Sequence, residues 1–373
     1  MTIAPPFAHA GGLLATDLAQ VADLRVDPTV LDRGWWLVVG TFSGAVTGYR
    51  FDRVRPAGLP PPTGPWPDEL DWRSSLDRSS FVAGVEAIRR HIEAGDVYQV
   101  NLCRMLTADL PAADRGPADP LVLAHRLAAG NPAPWSGLLH LGSSWIVSAS
   151  PELFLARDGD RLASSPIKGT TRPGEPFADK DFPENIMITD LVRNDLGRIA
   201  RPGSVVVTEL LARQEHPGLA HLVSTVTARL ADGVGWGQIL PATFPPGSVT
   251  GAPKIRALEV IAELEPVPRQ VYCGAFGFVD GEHRRARLAV AIRTFFATTD
   301  APPGHRPVAG SGTLHFGTGA GITWASDPAA EWAETELKAA RLIGLTGAAP
   351  TTPDPGRSAP APDPAPTRSA APR

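Results

Sequence analysis

Lysine is nearly absent from this chain. Of 35 basic residues only Lys168, Lys180, Lys254 and Lys338 are lysine, and the rest are arginine. Arginine keeps its proton and cannot serve as an amine nucleophile, whereas a lysine amine can once burial or neighbouring charge lowers its pKa. Each retained lysine is therefore a candidate for chemistry, to be weighed against the plain alternative of a solvated charge. Cysteine is scarce as well. Cys103 and Cys273 sit in separate apolar segments without CxxC spacing, which suggests neither a zinc cluster nor a disulfide framework. No basic stretch followed by an apolar one opens the chain, and no run of about 18 apolar residues occurs. A soluble, cytoplasmic protein with no membrane partner is expected. The net charge of −4 argues against a general nucleic-acid surface. An anionic substrate would then need locally placed cations or a metal.

What is present is enough apolar material, 43% of 373 residues, for a sizeable core. The apolar runs 35–42 and 45–54, joined by Ser43-Gly44, predict a hairpin. The Pro- and Gly-rich loop 56–67 marks off a small N-terminal β portion, 1–67, from a main domain of 68–345. Phe81, Val85, Ile88 and Ile92 recur at helical steps, with Gly95 as the stop. Helices are also expected over 121–129, 183–197, 255–264 and 328–343. Strands are expected over 96–106, within 137–155 with a break at Pro151, and over 205–210, 271–280 and 287–296; 314–316 and 322–324 read as a further pair. The segment 221–230 reads as a short helix or a strand. Strands and helices mix without regular alternation, so the class is α+β. The tail 346–373, rich in Pro, Ala, Ser and Thr, carries no apolar period and reads as disordered.

The segment 165–198, SPIKGTTRPGEPFADKDFPENIMITDLVRNDLGR, organises the rest. It sets Lys168 beside Gly169-Thr170 and then opens a helix near Asp181. Glu184 follows Asp181 by three residues with Pro183 between them, the spacing of a capping box. Glu331 and Glu334 share a face of the last helix, and Glu334 with Lys338 forms an i,i+4 pair. Carboxylates from two separate helices could instead hold Mg²⁺, a cation that takes oxygen ligands and retains room for a substrate carboxylate. GSVTGAPK (247–254) lacks the Lys-Ser/Thr of a phosphate loop, yet it is a glycine turn entering a helix, where free N–H groups favour an anion. GTGAG (317–321) reads as a second such turn. His221 is a potential acid or base near neutral pH, or else a packed core residue.

Taken together, PIKGT, ENIMITDLVRNDLGR, HLVST, PPGSVTGAPKIRALEVIAELEP, YCGAFGF, AIRT and GAGITWASDPAAEWAETELKA resemble the successive blocks of the chorismate-utilising enzymes, over about residues 79 to 343. The resemblance implies a large two-sheet α+β sandwich with the site between its sheets, and Mg²⁺ as cofactor. Within that family, Lys in the PIxGT block marks aminodeoxychorismate synthase component I, where anthranilate synthase component I carries Ala; Gln99 stands where isochorismate and salicylate synthases carry a Lys base. The resemblance therefore implies amination of chorismate at C4, with p-aminobenzoate or folate synthesis downstream and anthranilate synthase component I as the alternative. It implies catalytic roles for Lys168 as nucleophile at C2, Glu152 as proton carrier and His221 beside the leaving hydroxyl. Metal binding falls to Glu184, Glu331 and Glu334, and substrate contact to Thr170, Thr250, Tyr272, Arg293, Gly319, Gly321 and Lys338. Lys180 receives no role. No glutaminase unit is recognisable, so ammonia is expected from a separate glutamine amidotransferase subunit or from solution. The loop between Lys168 and Glu184 is shorter than in many members, and no LLES-like segment is found, which speaks against feedback inhibition by tryptophan.

Overall fold

Long-range strand pairing, all of it antiparallel, builds the molecule. In the computed structural model, which describes residues 5–110, 117–142, 144–216, 219–298 and 312–347, the succession starts at Leu219–Arg229, flanked by Val206–His216. It continues through Arg161–Ser165, Leu153–Asp158, Arg285–Val290, Ala275–Asp280, Trp35–Gly40, Val46–Pro56 and Leu13–Asp23. From there Phe7–Ala10 passes to Trp135–His140, Trp145–Ser150, Thr294–Thr298, Gly312–Ile322 and finally Gln99–Leu110. The sheet is open and doubles back on itself. Trp36, Phe276 and Leu288 from its first half share one core with Cys103, Met105 and Phe296 from its second.

Among the described residues six α-helices cover the sheet: α1 (Arg78–Glu93), α2 (Pro120–Gly130), α3 (Asp181–Gly197), α4 (Trp236–Thr243), α5 (Lys254–Leu264) and α6 (Pro328–Gly344). The strand Gln99–Leu110 shows why both its faces are apolar. Cys103 and Met105 point into the core between the layers, while Val100 and Leu102 pack under Phe81, Val85 and Ile88 of α1 and Ala257, Val260 and Ile261 of α5. Asp77 starts α1 by accepting from the Ser80 N–H at 2.7 Å, so its apolar stripe begins in register with the sheet.

Several expectations change. The N-terminal β portion is not set apart by the loop 56–67: Trp35–Gly40 pairs with Ala275–Asp280, and Phe7–Ala10 with Trp135–His140, inside the main sheet. The segments 314–316 and 322–324 are not partners. Residues 314–316 and Ile322 belong to one strand, Gly312–Ile322, which runs beside Gln99–Leu110 and ends before Thr323, so GTGAG is strand and not turn. Thr294–Thr298 pairs with Trp145–Ser150 instead of continuing the hairpin of Ala275–Asp280. His221 lies in a strand. Thr346 is still part of the body, its carbonyl accepting from Trp66 Nε1 at 2.7 Å, and the tail from 348 onward lies outside the described residues. Among the described residues no helix is long and apolar enough to cross a membrane.

Candidate active site

Lys168 is aimed inward by a defect in its strand. Within Ile167–Thr171 the register against Leu219–Arg229 slips between Lys168, opposite Leu222, and Thr170, opposite His221. Gly169 absorbs the extra residue at φ +77°, and a Cβ there would lie 2.9 Å from Asp181, so only glycine fits. Lys168 is left 9% exposed, with Nζ donating to Asn101 Oδ1 at 3.3 Å. Burial, reinforced by the nearby charge of Lys338, lowers its pKa, while Glu184, Glu152 and Glu334 oppose the shift. Gly321, on the strand Gly312–Ile322 across the pocket, makes the approach possible, because a Cβ there would stand 2.6 Å from Gln99 Nε2 and 3.2 Å from Lys168 Nζ. Glu152, between Trp145–Ser150 and Leu153–Asp158, faces the same pocket, and burial raises its pKa to about 7 against the pull of Ser248 and Lys168.

Carboxylates and amines alternate across the gap between α3 and α6. The capping-box reading of Asp181 and Glu184 does not hold: Asp181 turns back to accept from the Ala178 N–H at 3.0 Å, and α3 has no side-chain cap. Glu184 instead points into the pocket, where Gln99 Nε2 donates to its Oε2 at 3.4 Å and burial raises its pKa to about 7. Lys180 Nζ lies 2.5 Å from Glu331 Oε1 and 3.7 Å from Glu334 Oε2, and Lys338 Nζ lies 2.6 Å from Glu334 Oε1. Glu184 Oε1 and Glu331 Oε2 are buried without a hydrogen-bond partner. Such oxygens call for a cation, and a set of three glutamates suits a hard one such as Mg²⁺. In the geometry at hand no trio of acidic, His or Cys side chains among the described residues converges on one point. The Lys180 ammonium, reaching both Glu331 and Glu334, supplies positive charge where a metal would.

His221 and Arg293 form the opposite wall. Arg293 Nη2 lies 2.8 Å from His221 Nε2, and Thr170 Oγ1 lies 3.2 Å from His221 Nδ1. A guanidinium can only donate, so Nε2 accepts, the imidazole is neutral and its proton sits on Nδ1 toward Thr170. Arg293 itself, buried and repelled by Arg341, is brought down to about 10. Tyr272, Gly319 and Lys338 line the pocket with them. Two expected residues do not. The Thr250 hydroxyl is turned onto the carbonyls of Pro246 and Gly247, and Glu331 lies behind Lys180. Lys254 is held by Asp195 at 3.2 Å and the Pro245 carbonyl at 3.2 Å, away from the pocket lining. Sequence reasoning missed Asn101, Ser248 and Lys180 as pocket residues. Only the scarcity of lysine pointed to the last.

A family model described as chorismate binding enzyme matches residues 52–344. The chain is 38% identical over 284 residues to aminodeoxychorismate synthase component 1 of Salmonella typhimurium, covering 73% of this chain and 58% of that protein. It is also 38% identical over 286 residues to anthranilate synthase component 1 of Streptomyces coelicolor, covering 73% and 52%. The chain thus spans somewhat more than half the length of these curated relatives. Among solved structures it superposes on anthranilate synthase component I from Streptococcus pneumoniae with TM-score 0.71 at 22% identity, covering 91% of this chain and 90% of that one. It superposes on a menaquinone-specific isochorismate synthase from Escherichia coli with TM-score 0.73 at 16% identity, covering 92% and 89%. At those identities the likeness is one of fold.

Proposed function

This chain belongs to the chorismate-binding enzyme family and is a chorismate-utilising enzyme, and from that premise we propose that it aminates chorismate at C4 to give 4-amino-4-deoxychorismate. The observation that carries the reading is the amine of Lys168, buried in the pocket with a lowered pKa and facing Glu152 and Glu184. A lysine so placed is a nucleophile in waiting. Its neutral Nζ bonds to C2 as the ring double bonds shift and the C4 hydroxyl leaves, taking up a proton to become water. Ammonia then bonds to C4, and the electron pair returns through the ring to expel the lysine from C2. The sum is chorismate plus ammonia giving the amino product plus water.

Glu152, with a pKa of about 7, can take the proton that Lys168 or ammonia sheds on bonding and return it later. His221 and Arg293 flank the pocket, and Arg293 is suited to bidentate recognition of a substrate carboxylate. When Arg293 turns to that carboxylate, His221 Nε2 is freed, and once it has taken up a proton from solvent it can pass that proton to the departing hydroxyl. Glu184 and Glu334, with Glu331 behind, would hold Mg²⁺. Bound there, the metal would offset the charge of these glutamates and supply positive charge for a substrate carboxylate. Ammonia would come from a glutamine amidotransferase subunit or from solution.

The second reading is anthranilate synthase component I, favoured by the Streptomyces coelicolor relative at the same identity. The test is incubation of the purified chain with chorismate, Mg²⁺ and an ammonium salt, with products separated before and after aminodeoxychorismate lyase is added. Lyase-dependent p-aminobenzoate is expected. Anthranilate formed without lyase would sink the proposal in favour of the second reading.

A further inference from the structure

A cavity of about 760 Å³ lies away from the chorismate pocket, and the same strands lead to both. The strand Leu153–Asp158 follows Glu152 at the pocket and ends with Arg157 at the cavity; Leu219–Arg229 carries His221 near one end and leads to Leu230; Ala275–Asp280 follows Cys273 and finishes at Asp280. Five residues of extended chain separate Glu152 from Arg157, about 16 Å.

Arg157 is 4% exposed and lines this cavity. Its Nε donates to the Gly159 carbonyl at 3.0 Å and its guanidinium lies 5.5 Å from the Trp236 ring, but its terminal nitrogens make no hydrogen bond or ion pair among the described residues. The acids around it are mostly occupied. Asp160 is taken by Arg229 at 3.2 Å, Asp232 by Arg201 at 2.9 Å, and Asp280 by His283 at 2.8 Å. Arg284, on the same wall, has no side-chain partner among the described residues either, and its charge bears on Arg157, opposed by that of Asp32. Two guanidinium groups with free donors thus meet in one cavity, whose partly exposed apolar wall includes Ala231 and Val234. Free guanidinium donors match the paired oxygens of a carboxylate or phosphate, and the volume exceeds what an inorganic ion fills.

We propose that this cavity binds a small organic anion, whose carboxylate or phosphate oxygens are received by Arg157 and Arg284 while its apolar body rests against Ala231 and Val234. The site is independent of which reaction the chorismate pocket performs. Isothermal titration of the full chain with sodium phosphate, benzoate and phenyl phosphate separates the two acid groups and the share of the organic body. At least one organic probe is expected to bind with a dissociation constant below about 1 mM, and at least about tenfold more weakly to Arg284→Ala and Arg157→Met. Arg293→Ala, a change in the chorismate pocket, leaves that affinity unaltered. Should Arg157→Met fail to fold, the exposed Arg284 carries the test alone. Equal affinity in Arg284→Ala and the parent, loss confined to Arg293→Ala, or no heat from any probe up to about 10 mM would each overturn the assignment.

Discussion

Keeping an amine and two carboxylic acids buried in one pocket costs stability, and the cost is measurable at single residues. Replacing Lys168 with Ala is expected to lower the amination rate about a thousandfold or more while chorismate binding, followed by calorimetry, changes less than tenfold. Glu152 has its folded pKa raised to about 7 from an ordinary 4.5. A raised pKa means the folded state holds the proton more tightly, so the stabilisation is full below the unfolded value and is lost as pH rises through about 7. Urea unfolding should therefore show that stability falls more between pH 5 and pH 8 in the parent than in Glu152→Gln, the difference reaching up to about 3 kcal/mol. Glu184 contributes with the same sign. The positions of Lys168, Glu152, His221 and Glu184 were legible in the sequence because short motifs surround them. Asn101 and Ser248 were not, since a polar residue in an apolar strand or loop gives no sign of which way it points. Lys180 was visible only as one of four lysines, and its contact with Glu331 needs two helices to be placed.

Between elements, the decisive contacts are polar links across apolar packing. Lys180 ties the start of α3 to the start of α6 through Glu331 and Glu334. If its ammonium stands where a divalent cation would go, Lys180→Met should bind Mg²⁺ about tenfold more tightly in substrate-free titrations; weaker binding would instead mean that Lys180 orients the ligands. Arg269 is a second link. It is 3% exposed, pairs with Glu265 at 2.6 Å, and donates to the carbonyls of Asn101 and Val249, both at 2.8 Å. Glu265 in turn accepts from the Cys103 N–H at 2.8 Å. Arg269→Met strands a buried carboxylate and is expected to destabilise by about 3–5 kcal/mol, read as a lowered melting temperature. Helices were legible here because their apolar repeats are local: α1, α2, α5 and α6 fall within a residue or two of the expected bounds. Gly312–Ile322 was misread because its glycines signal a turn locally. Its extended form is fixed by eleven partners in Gln99–Leu110, about 200 residues away in sequence.

At the scale of the whole molecule, one unbroken succession of strands leaves no seam along which an N-terminal piece could detach. Removing residues 1–67 would uncover Ala275–Asp280 and Trp135–His140, each of which pairs with a strand from that segment. Such a shortened chain is expected to show no cooperative thermal transition by circular dichroism, whereas a truly separate N-terminal portion would leave the transition intact. The same scale gives the two cysteines a use that neither has alone. Cys103 and Cys273 are the chain's entire thiol complement, both line the pocket that holds Lys168, and each shifts the other's protonation. Both thiols are buried, so a small alkylating reagent reaches them only as the pocket opens, and the mass it adds to the intact protein reports protection by a ligand at a single place. Occupancy of the pocket becomes a quantity that can be weighed, without a label, a chromophore or a turnover.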